Sequence, residues 1–192
     1  MSARSYLILH GWQGPGPEHW YTWLAERLRA SGETVALPAL PDTDTPRLQR
    51  WQHVLAEELA GLSGERVVLC HSLGVVLWLH HVSEHESPEP FAERVLLVAP
   101  PSPGISEREL RSFFPVPFDA DAVRRSAAGG TRLVCSDNDP YCPEGAARAY
   151  GEPLELPVDV LAGEGHLNPD SGHGPWPEVE AWARGERDEL TD

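Results

Sequence analysis

The sequence predicts an α/β fold with a mostly parallel six-stranded sheet and helices on both of its faces. Short, continuously apolar segments, such as residues 6–9, alternate along the chain with amphipathic segments of helical period, such as residues 19–30. Strands that are apolar on both sides need cover on both faces of their sheet, and flanking helices supply it. A barrel of eight strand–helix units is excluded, because the chain has only six candidate strands.

The bounds of the elements follow from the apolar runs and from residues that begin and end helices. We predict strands at 6–9, 34–40, 66–70, 95–98, 132–135 and 154–160. We predict helices at 19–30, 46–61, 74–85, 143–150 and 177–184. Thr45 is the expected N-cap of the second helix, with Pro46 at its first position. The proline-rich segment 100–121, with a short helix near 108–114, is expected to run over the sheet and to wall a substrate site.

Length and charge limit the number of domains and the kinds of partner. The chain has 192 residues, of which 41% are apolar, so we expect one domain with one core at 1–185 and a polar, frayed tail at 186–192. The 30 acidic and 15 basic residues give a formal net charge of −15. This charge repels phosphate backbones and anionic lipids, so we expect neither nucleic acid nor a membrane as a partner.

Targeting signals and cysteine content bear on the compartment. No secretion signal is evident after Met1, and no segment approaches the roughly 18 consecutive apolar residues that span a bilayer. Three cysteines, an odd number, are more typical of reduced thiols than of a disulfide framework. We therefore expect a cytoplasmic protein.

Ser72 lies directly after the apolar strand 66–70 and directly before a helix. The surrounding sequence matches the Gly-x-Ser-x-Gly elbow, which presents a nucleophilic serine, except that Cys70 stands at the first glycine. Gly74 satisfies the second glycine, and the amide of Leu73 at the helix N-terminus is a candidate donor to an oxyanion. An ordinary helix N-cap, which requires no catalysis, is the alternative role for Ser72.

Other strands of the predicted sheet are also followed by residues that suit catalysis. The amide of Trp12 follows the first strand and is the candidate for a second oxyanion donor, with a glycine-rich connector as the alternative. Asp139 follows the fifth strand and His166 follows the sixth. The order Ser, Asp, His along the chain is that of the α/β-hydrolase fold. Together these residues predict a triad of Ser72, Asp139 and His166 that uses no metal and no organic cofactor.

These motifs resemble those of the small serine-hydrolase family that includes retinoblastoma-binding protein 9 and the bacterial YdeN-type hydrolases. The similarity covers nearly the whole chain and is carried by segments 9–14, 19–24, 71–74, 136–143 and 165–168. It implies a compact α/β-hydrolase fold without a large lid domain. It also implies hydrolysis of esters or amides, with Ser72 as nucleophile, Asp139 as the acid and His166 as the base. Cys70 departs from the family's pattern, which has glycine there, and a side chain at this position is expected to crowd the elbow.

Two further residues compete for places in the triad. Asp137 lies in the same loop as Asp139, but its distance from Pro143 does not fit the usual Asp-to-Pro spacing of this loop. His173 lies well beyond the end of the sixth strand, where a solvated loop histidine is expected. We therefore prefer Asp139 and His166.

A histidine-rich helix and two cysteines suggest other chemistry. His81 and His85 lie one helical turn apart, close to His80 and Glu84, which is a spacing compatible with a metal site. An exposed helix end is the preferred interpretation, because no further ligand is placed by a motif. Cys135 and Cys142 could suggest redox chemistry. Cys135 lies within a strand and is expected to be a buried apolar residue, and we expect neither cysteine to be reactive.

The predicted function is a serine hydrolase that cleaves small esters or amides. Trp12, Trp20 and Tyr141 are candidates for the wall of an apolar acyl pocket, although core packing explains the tryptophans equally well. Two alternatives stay open, because fold alone does not establish activity. One is a protein-binding scaffold on a hydrolase fold, with an unspecified protein partner. The other is acyl transfer from a small-molecule substrate to an acceptor other than water.

Overall fold

A parallel sheet forms the centre of the molecule. The computed structural model describes residues 4–191, in which six strands pair in the order β2-β1-β3-β4-β5-β6, every pair parallel. The strands are β1 (Arg4–Leu9), β2 (Thr34–Ala36), β3 (Glu65–His71), β4 (Arg94–Val98), β5 (Thr131–Ser136) and β6 (Val158–Leu161). The predicted six-stranded parallel sheet is confirmed.

Helices cover both faces of the sheet. They are α1 (Trp20–Ala30), α2 (Leu48–Gly61), α3 (Leu73–Glu84), α4 (Ala120–Ser126) and α5 (Pro177–Ala183). Alternate residues of β1 point to opposite faces. Leu7 and Leu9 therefore pack into one cluster with α2, α3 and α4, while Tyr6 and Ile8 pack into a second cluster with α1 and α5. No helix within the described range 4–191 is long and apolar enough to cross a membrane.

Several element bounds differ from the predicted ones. β2 ends at Ala36 rather than at residue 40, shortly before Pro38, which has no amide hydrogen for strand pairing. β6 begins at Val158, directly after Pro157, and the predicted helix 143–150 is a π-helical segment, Ala147–Gly151.

Helix α2 begins at Leu48, not at Pro46. Thr45 does not cap it, because the N-cap position is Arg47, whose side chain makes no capping hydrogen bond. The Oγ atom of Ser112 instead accepts a hydrogen bond from the amide of Leu48 at 3.2 Å. A residue distant in the chain thus satisfies the helix end, which no local pattern reveals.

The segment that follows β4 contains more helix than predicted. The short helix expected near 108–114 is a single 3₁₀ turn, Arg111–Phe113. Helix α4 was not predicted, although Asp119 is a good N-cap and accepts a hydrogen bond from the amide of Ala122 at 2.8 Å.

The chain beyond Gly185, for which fraying was expected, is held in place at Leu190, although Glu186, Asp188 and Glu189 are exposed. The side chain of Leu190 is buried in the cluster on the α1 face. Its amide donates to Oδ2 of Asp159 at 2.8 Å, and Arg132 donates to Oδ1 of the same carboxylate at 2.9 Å. The prediction of a frayed tail was therefore wrong for this stretch, because β5 and β6 hold it.

His81 lies on the buried side of α3 rather than at an exposed helix end. Its ring packs against Trp78, His85 and Phe91, and among residues 4–191 neither ring nitrogen has a hydrogen-bond partner. Within residues 4–191, no three histidine, cysteine or acidic side chains are close enough together to hold a metal ion. His81 is therefore a core residue.

Acid is expected to destabilise the fold partly through His81. Burial, assisted by the neighbouring His85, lowers the pKa of His81 to about 4. Since an unfolded histidine has a pKa of about 6.5, the unfolded chain binds a proton between about pH 6.5 and about pH 4 that the folded chain does not bind. Stability is therefore lost as the pH falls through this window.

The measurement is the free energy of unfolding in urea at about pH 7 and about pH 5. The parent protein should lose free energy of unfolding between about pH 7 and about pH 5. We expect His81→Phe to reduce this loss by on the order of 1 kcal/mol. The control is the same substitution at His53, which is exposed and should leave the loss unchanged. An equal pH dependence in the parent protein and His81→Phe would contradict the prediction.

Gly74 allows α3 to start against the end of β1. A Cβ atom at this position would lie 2.6 Å from the carbonyl oxygen of Leu9 and 2.8 Å from that of His10. Both are backbone atoms, so the helix would have to move. We expect Gly74→Ala to lower the free energy of unfolding by about 1–3 kcal/mol. Gly61→Ala is the matched control, because a Cβ there meets nothing within 4 Å, and an equal effect of the two variants would argue against the contact.

Candidate active site

Ser72 has the strained backbone of a nucleophile elbow. Its φ of 53° and ψ of −121° lie in a region of backbone conformation that residues other than glycine rarely adopt. The Ser72 amide donates to the carbonyl of Val98 at 2.9 Å, which ties the turn to β4. The Ser72 side chain makes no capping hydrogen bond to α3. Ser72 is therefore not an ordinary helix cap, and its hydroxyl is available for another contact.

That contact is with the imidazole of His166. Nε2 of His166 lies 3.0 Å from Oγ of Ser72, although the two residues are 94 positions apart in the chain. The other ring nitrogen, Nδ1, lies 2.8 Å from Oδ2 of Asp139. The amide of Tyr141 donates to Oδ1 of Asp139 at 2.8 Å and so orients the carboxylate. The structure brings together all three residues of the predicted triad.

The hydrogen bonds define the tautomer that this geometry favours. A carboxylate only accepts hydrogen bonds, so Nδ1 of His166 carries the proton that faces Asp139. Nε2 then presents a lone pair to the hydroxyl of Ser72. His166 and Asp139 are both buried, which keeps water from competing for their contact. The arrangement can remove a proton from the serine hydroxyl.

The competing residues have other partners. Oδ1 of Asp137 accepts a hydrogen bond from the amide of Gly163 at 2.8 Å. Nε2 of His173 lies 2.8 Å from Oε2 of Glu164, and its ring packs on Trp176. Neither residue hydrogen-bonds to Ser72 or His166.

Two side chains hold the backbone that carries His166. Nε2 of His71 lies 3.0 Å from the carbonyl oxygen of His166. Burial keeps the pKa of His71 well below its ordinary value. A neutral ring with the proton on Nε2 therefore donates this bond. The indole of Trp20 donates to the carbonyl of Leu167 at 3.0 Å. The supporting role of His71 was not predicted. The feature of the sequence that could have indicated it is a polar residue at the end of a buried strand, directly before Ser72.

The loop after β1 passes directly over Ser72. A Cβ atom at Gly11 would lie 2.8 Å from Cβ of Ser72, so only glycine fits at that point. His10 holds this loop, because its Nδ1 lies 2.8 Å from the carbonyl of Gly11 and its Nε2 accepts from the amide of Leu40 at 3.3 Å. In the chain from 4 to 191, the amides of Trp12 and Leu73 donate to no backbone carbonyl. Both predicted oxyanion donors therefore remain available to a ligand.

A cavity of about 360 Å³ opens beside Ser72 and His166. Trp12 lines it, and the ring of Tyr141 lies at its edge, 4.5 Å from that of His166 and 48% exposed. Trp20, the other candidate for a pocket wall, is fully buried and does not reach the cavity, because its indole supports the loop of His166 instead.

The cysteines lie apart from this chemistry. Cys70 is fully buried and packs in the cluster on the α2 face, and burial raises its pKa well above that of an ordinary thiol. Burial also raises the pKa of Cys135 to about 11 and that of Cys142 to about 12. All three are therefore protonated near neutral pH, and a thiol rather than a thiolate is a poor nucleophile.

Comparisons with known proteins bear on the fold and the family. YdeN of Bacillus subtilis (strain 168), whose name assigns it to the hydrolases, is 24% identical over 171 residues, or 88% of this chain and 89% of YdeN. The crystal structure of the B. subtilis ydeN gene product has a TM-score of 0.79 at 22% identity, covering 95% of this chain and 97% of that chain. A YdeN-like hydrolase from Pectobacterium atrosepticum has a TM-score of 0.73 at 22% identity, covering 95% and 90%. The fold is therefore that of the α/β hydrolases.

The family model named Serine hydrolase matches residues 6–184, which include every element from β2 to α5 and most of β1. The matched span also contains Ser72, Asp139 and His166. The chain belongs to the serine hydrolase family.

Proposed function

We propose that the protein hydrolyses small esters, and by the same chemistry small amides, through an acyl-enzyme on Ser72. The observation that carries the proposal is the continuous hydrogen-bonded chain from Oγ of Ser72 through the ring of His166 to Asp139, at the wall of an open cavity. Membership of the serine hydrolase family supports the reaction class. The bound substrate is a small molecule, in keeping with a cavity of about 360 Å³.

In the first half of the reaction, Nε2 of His166 takes the proton of Ser72 while Oγ attacks the substrate carbonyl. Negative charge develops on the carbonyl oxygen, and the amides of Trp12 and Leu73 donate to it. The amide of Leu73 lies at the N-terminus of α3, where the helix dipole adds to the stabilisation. Asp139 holds the ring and stabilises the imidazolium that forms.

The first half ends when His166 gives its proton to the oxygen or nitrogen of the leaving group, which departs and leaves the acyl group on Ser72. In the second half, a water molecule loses a proton to His166 and attacks the acyl-enzyme. His166 then returns that proton to Oγ of Ser72 as the bond to the acyl group breaks, which releases the acid and restores the serine hydroxyl. No metal or organic cofactor takes part in these steps. The groups that carry these steps are already in place, because the ring of His166 lies within hydrogen-bond distance of both Ser72 and Asp139.

The rival functions draw less support from the structure. A scaffold protein has no need of a strained serine, and strain at φ 53° persists only where its surroundings enforce it. Acyl transfer to another acceptor uses the same residues, but the family to which the chain belongs is one of hydrolases. Hydrolysis is therefore the function that we propose.

Replacement of Ser72 tests the nucleophile. We expect the parent protein to hydrolyse 4-nitrophenyl butyrate and to react covalently with a fluorophosphonate probe. Ser72→Ala should abolish the labelling and lower turnover by on the order of 10⁴ or more, because no oxygen remains to form the acyl-enzyme. Ser87→Ala, at an exposed serine far from the cavity, is the control. Labelling of Ser72→Ala at the parent's rate would move the nucleophile elsewhere.

A matched pair of substitutions in one loop tests the acid. In Asp139→Asn, an amide that donates toward Nδ1 favours the wrong tautomer of His166, so we expect kcat to fall about 10³-fold to 10⁴-fold. Asp137→Asn should keep most activity, since an amide oxygen can still accept from Gly163. The measurement is kcat with 4-nitrophenyl butyrate, and equal losses in the two variants would count against the role of Asp139.

A further inference from the structure

The cavity beside Ser72 has two chemically different walls. An apolar wall is formed by Pro101, Ile105 and Leu110, from the segment that follows β4. Ile105 and Leu110 pack with the cluster on the α2 face of the sheet. The loops after β1 and β6 form a second wall, here called the polar wall, which carries the polar side chains of Gln13, His19, Asn168 and Asp170 beside those of Pro15, Tyr21 and Pro169. The neighbours of His19 and of the β6 loop, Trp20, Tyr21 and Leu167, belong to the cluster on the other face.

His19 is the most buried polar side chain of that second wall. Only 6% of it is exposed, and its ring stacks on Tyr21 with centroids 3.6 Å apart. Nδ1 is shielded from the cavity and has no hydrogen-bond partner among residues 4–191, whereas Nε2 is the ring nitrogen that a ligand in the cavity can meet, and within the same residues it too has no partner. A polar ring at a cavity wall that the protein itself leaves without a partner is typical of a ligand-binding group.

The ring of His19 is suited to an uncharged partner. Burial, together with the nearby His166, lowers its pKa to about 3, so the ring is neutral near neutral pH. A neutral imidazole has one N–H donor and one acceptor nitrogen. A hydroxyl group, which also donates and accepts, matches it. The carboxylate of Asp170 on the same wall accepts from a hydroxyl and repels an anion.

The proposed reaction decides which half of an ester meets this wall. His166 hands its proton to the leaving oxygen, so the alcohol half lies beside His166. Asn168 and Asp170 lie two and four positions after His166 in the chain. His19 is on the same side, because its ring contacts that of His71 at 4.6 Å and the ring of His71 lies 5.0 Å from that of His166.

We infer that the cavity accepts esters of a short apolar acid with an uncharged, hydroxylated alcohol, and that His19 hydrogen-bonds the second hydroxyl of that alcohol. This inference rests on the proposed function. The acyl chain lies against Ile105 and Leu110, and the alcohol lies between His19 and the loop of Asn168. The substrate class is thus a partial ester of a diol or polyol.

Two pairs of nearly isosteric esters test the inference, with kcat/KM measured by acid release. The alcohol pair is 2-hydroxyethyl butyrate and propyl butyrate. The acyl pair is ethyl 3-hydroxybutyrate and ethyl 3-methylbutyrate. We expect the parent protein to prefer the hydroxylated ester of the alcohol pair by about tenfold, the worth of one hydrogen bond of about 1.4 kcal/mol, and to show no such preference in the acyl pair.

His19→Phe keeps the stacked ring but removes both nitrogens, so the ratio within the alcohol pair should fall to near one. His19→Gln keeps a donor and an acceptor and should keep part of the preference. His53→Phe, the same change at an exposed site, should keep all of it. Fluorophosphonate labelling and thermal unfolding establish that each variant has a folded site.

The outcomes separate this inference from the proposed function. A parent protein that hydrolyses these esters but ignores the alcohol hydroxyl, or prefers the acyl hydroxyl, overturns the inference and leaves the proposed function intact. An alcohol preference that survives in His19→Phe overturns the role of His19. Absence of hydrolysis and of labelling in the parent protein defeats the proposed function and the inference with it.

Discussion

The site depends on how closely the start of α3 approaches the end of β1. With Gly74 against the carbonyls of Leu9 and His10, the chain can turn from β3 into α3 within a single residue. That residue is Ser72, which takes a positive φ. Gly11 then passes over the serine at a distance that no side chain would allow. Two glycines, one on each side, thus enforce the strained conformation that exposes the hydroxyl.

Neutral imidazoles surround the site, and two of them, His10 and His71, hold its loops by hydrogen bonds. Burial lowers the pKa values of His10, His19 and His71. A neutral ring can fix a loop, as His10 fixes Gly11 and His71 fixes His166, without bringing a second positive charge next to the imidazolium that the mechanism requires. The burial that keeps these rings neutral also makes the fold sensitive to acid.

The cavity lies where the two hydrophobic clusters of the protein meet at the end of the sheet. The segment after β4 extends the cluster on the α2 face and supplies the apolar wall. The loops after β1 and β6 rest on the cluster of the α1 face and supply the polar wall. Ser72 follows β3, the strand between β1 and β4, so its hydroxyl lies at the junction of the two walls. The two-sided cavity is therefore a consequence of the strand order.

Much of the fold and of the candidate site could be predicted from the sequence. Apolar runs that alternate with amphipathic segments determine a parallel sheet with helices on both faces, because no other arrangement buries both sides of each strand. In such a sheet the carboxyl ends of the strands share one edge, so residues that follow β3, β5 and β6 must lie near each other. That reasoning brought Ser72, Asp139 and His166 together without coordinates.

Only the tertiary structure decided which side chains support Ser72, Asp139 and His166 and the elements that carry them. The sequence by itself determined the class of sheet, the elbow and the order of Ser72, Asp139 and His166 along the chain, because those follow from local patterns of residues. It did not determine that Trp20 faces the loop of His166 rather than the cavity, that Ser112 caps α2, or that Asp159 holds Leu190. Each of these contacts joins residues from about 30 to nearly 150 positions apart. Local periodicity carries no information about such partners, since burial and hydrogen bonding between distant segments are settled only when the chain is packed.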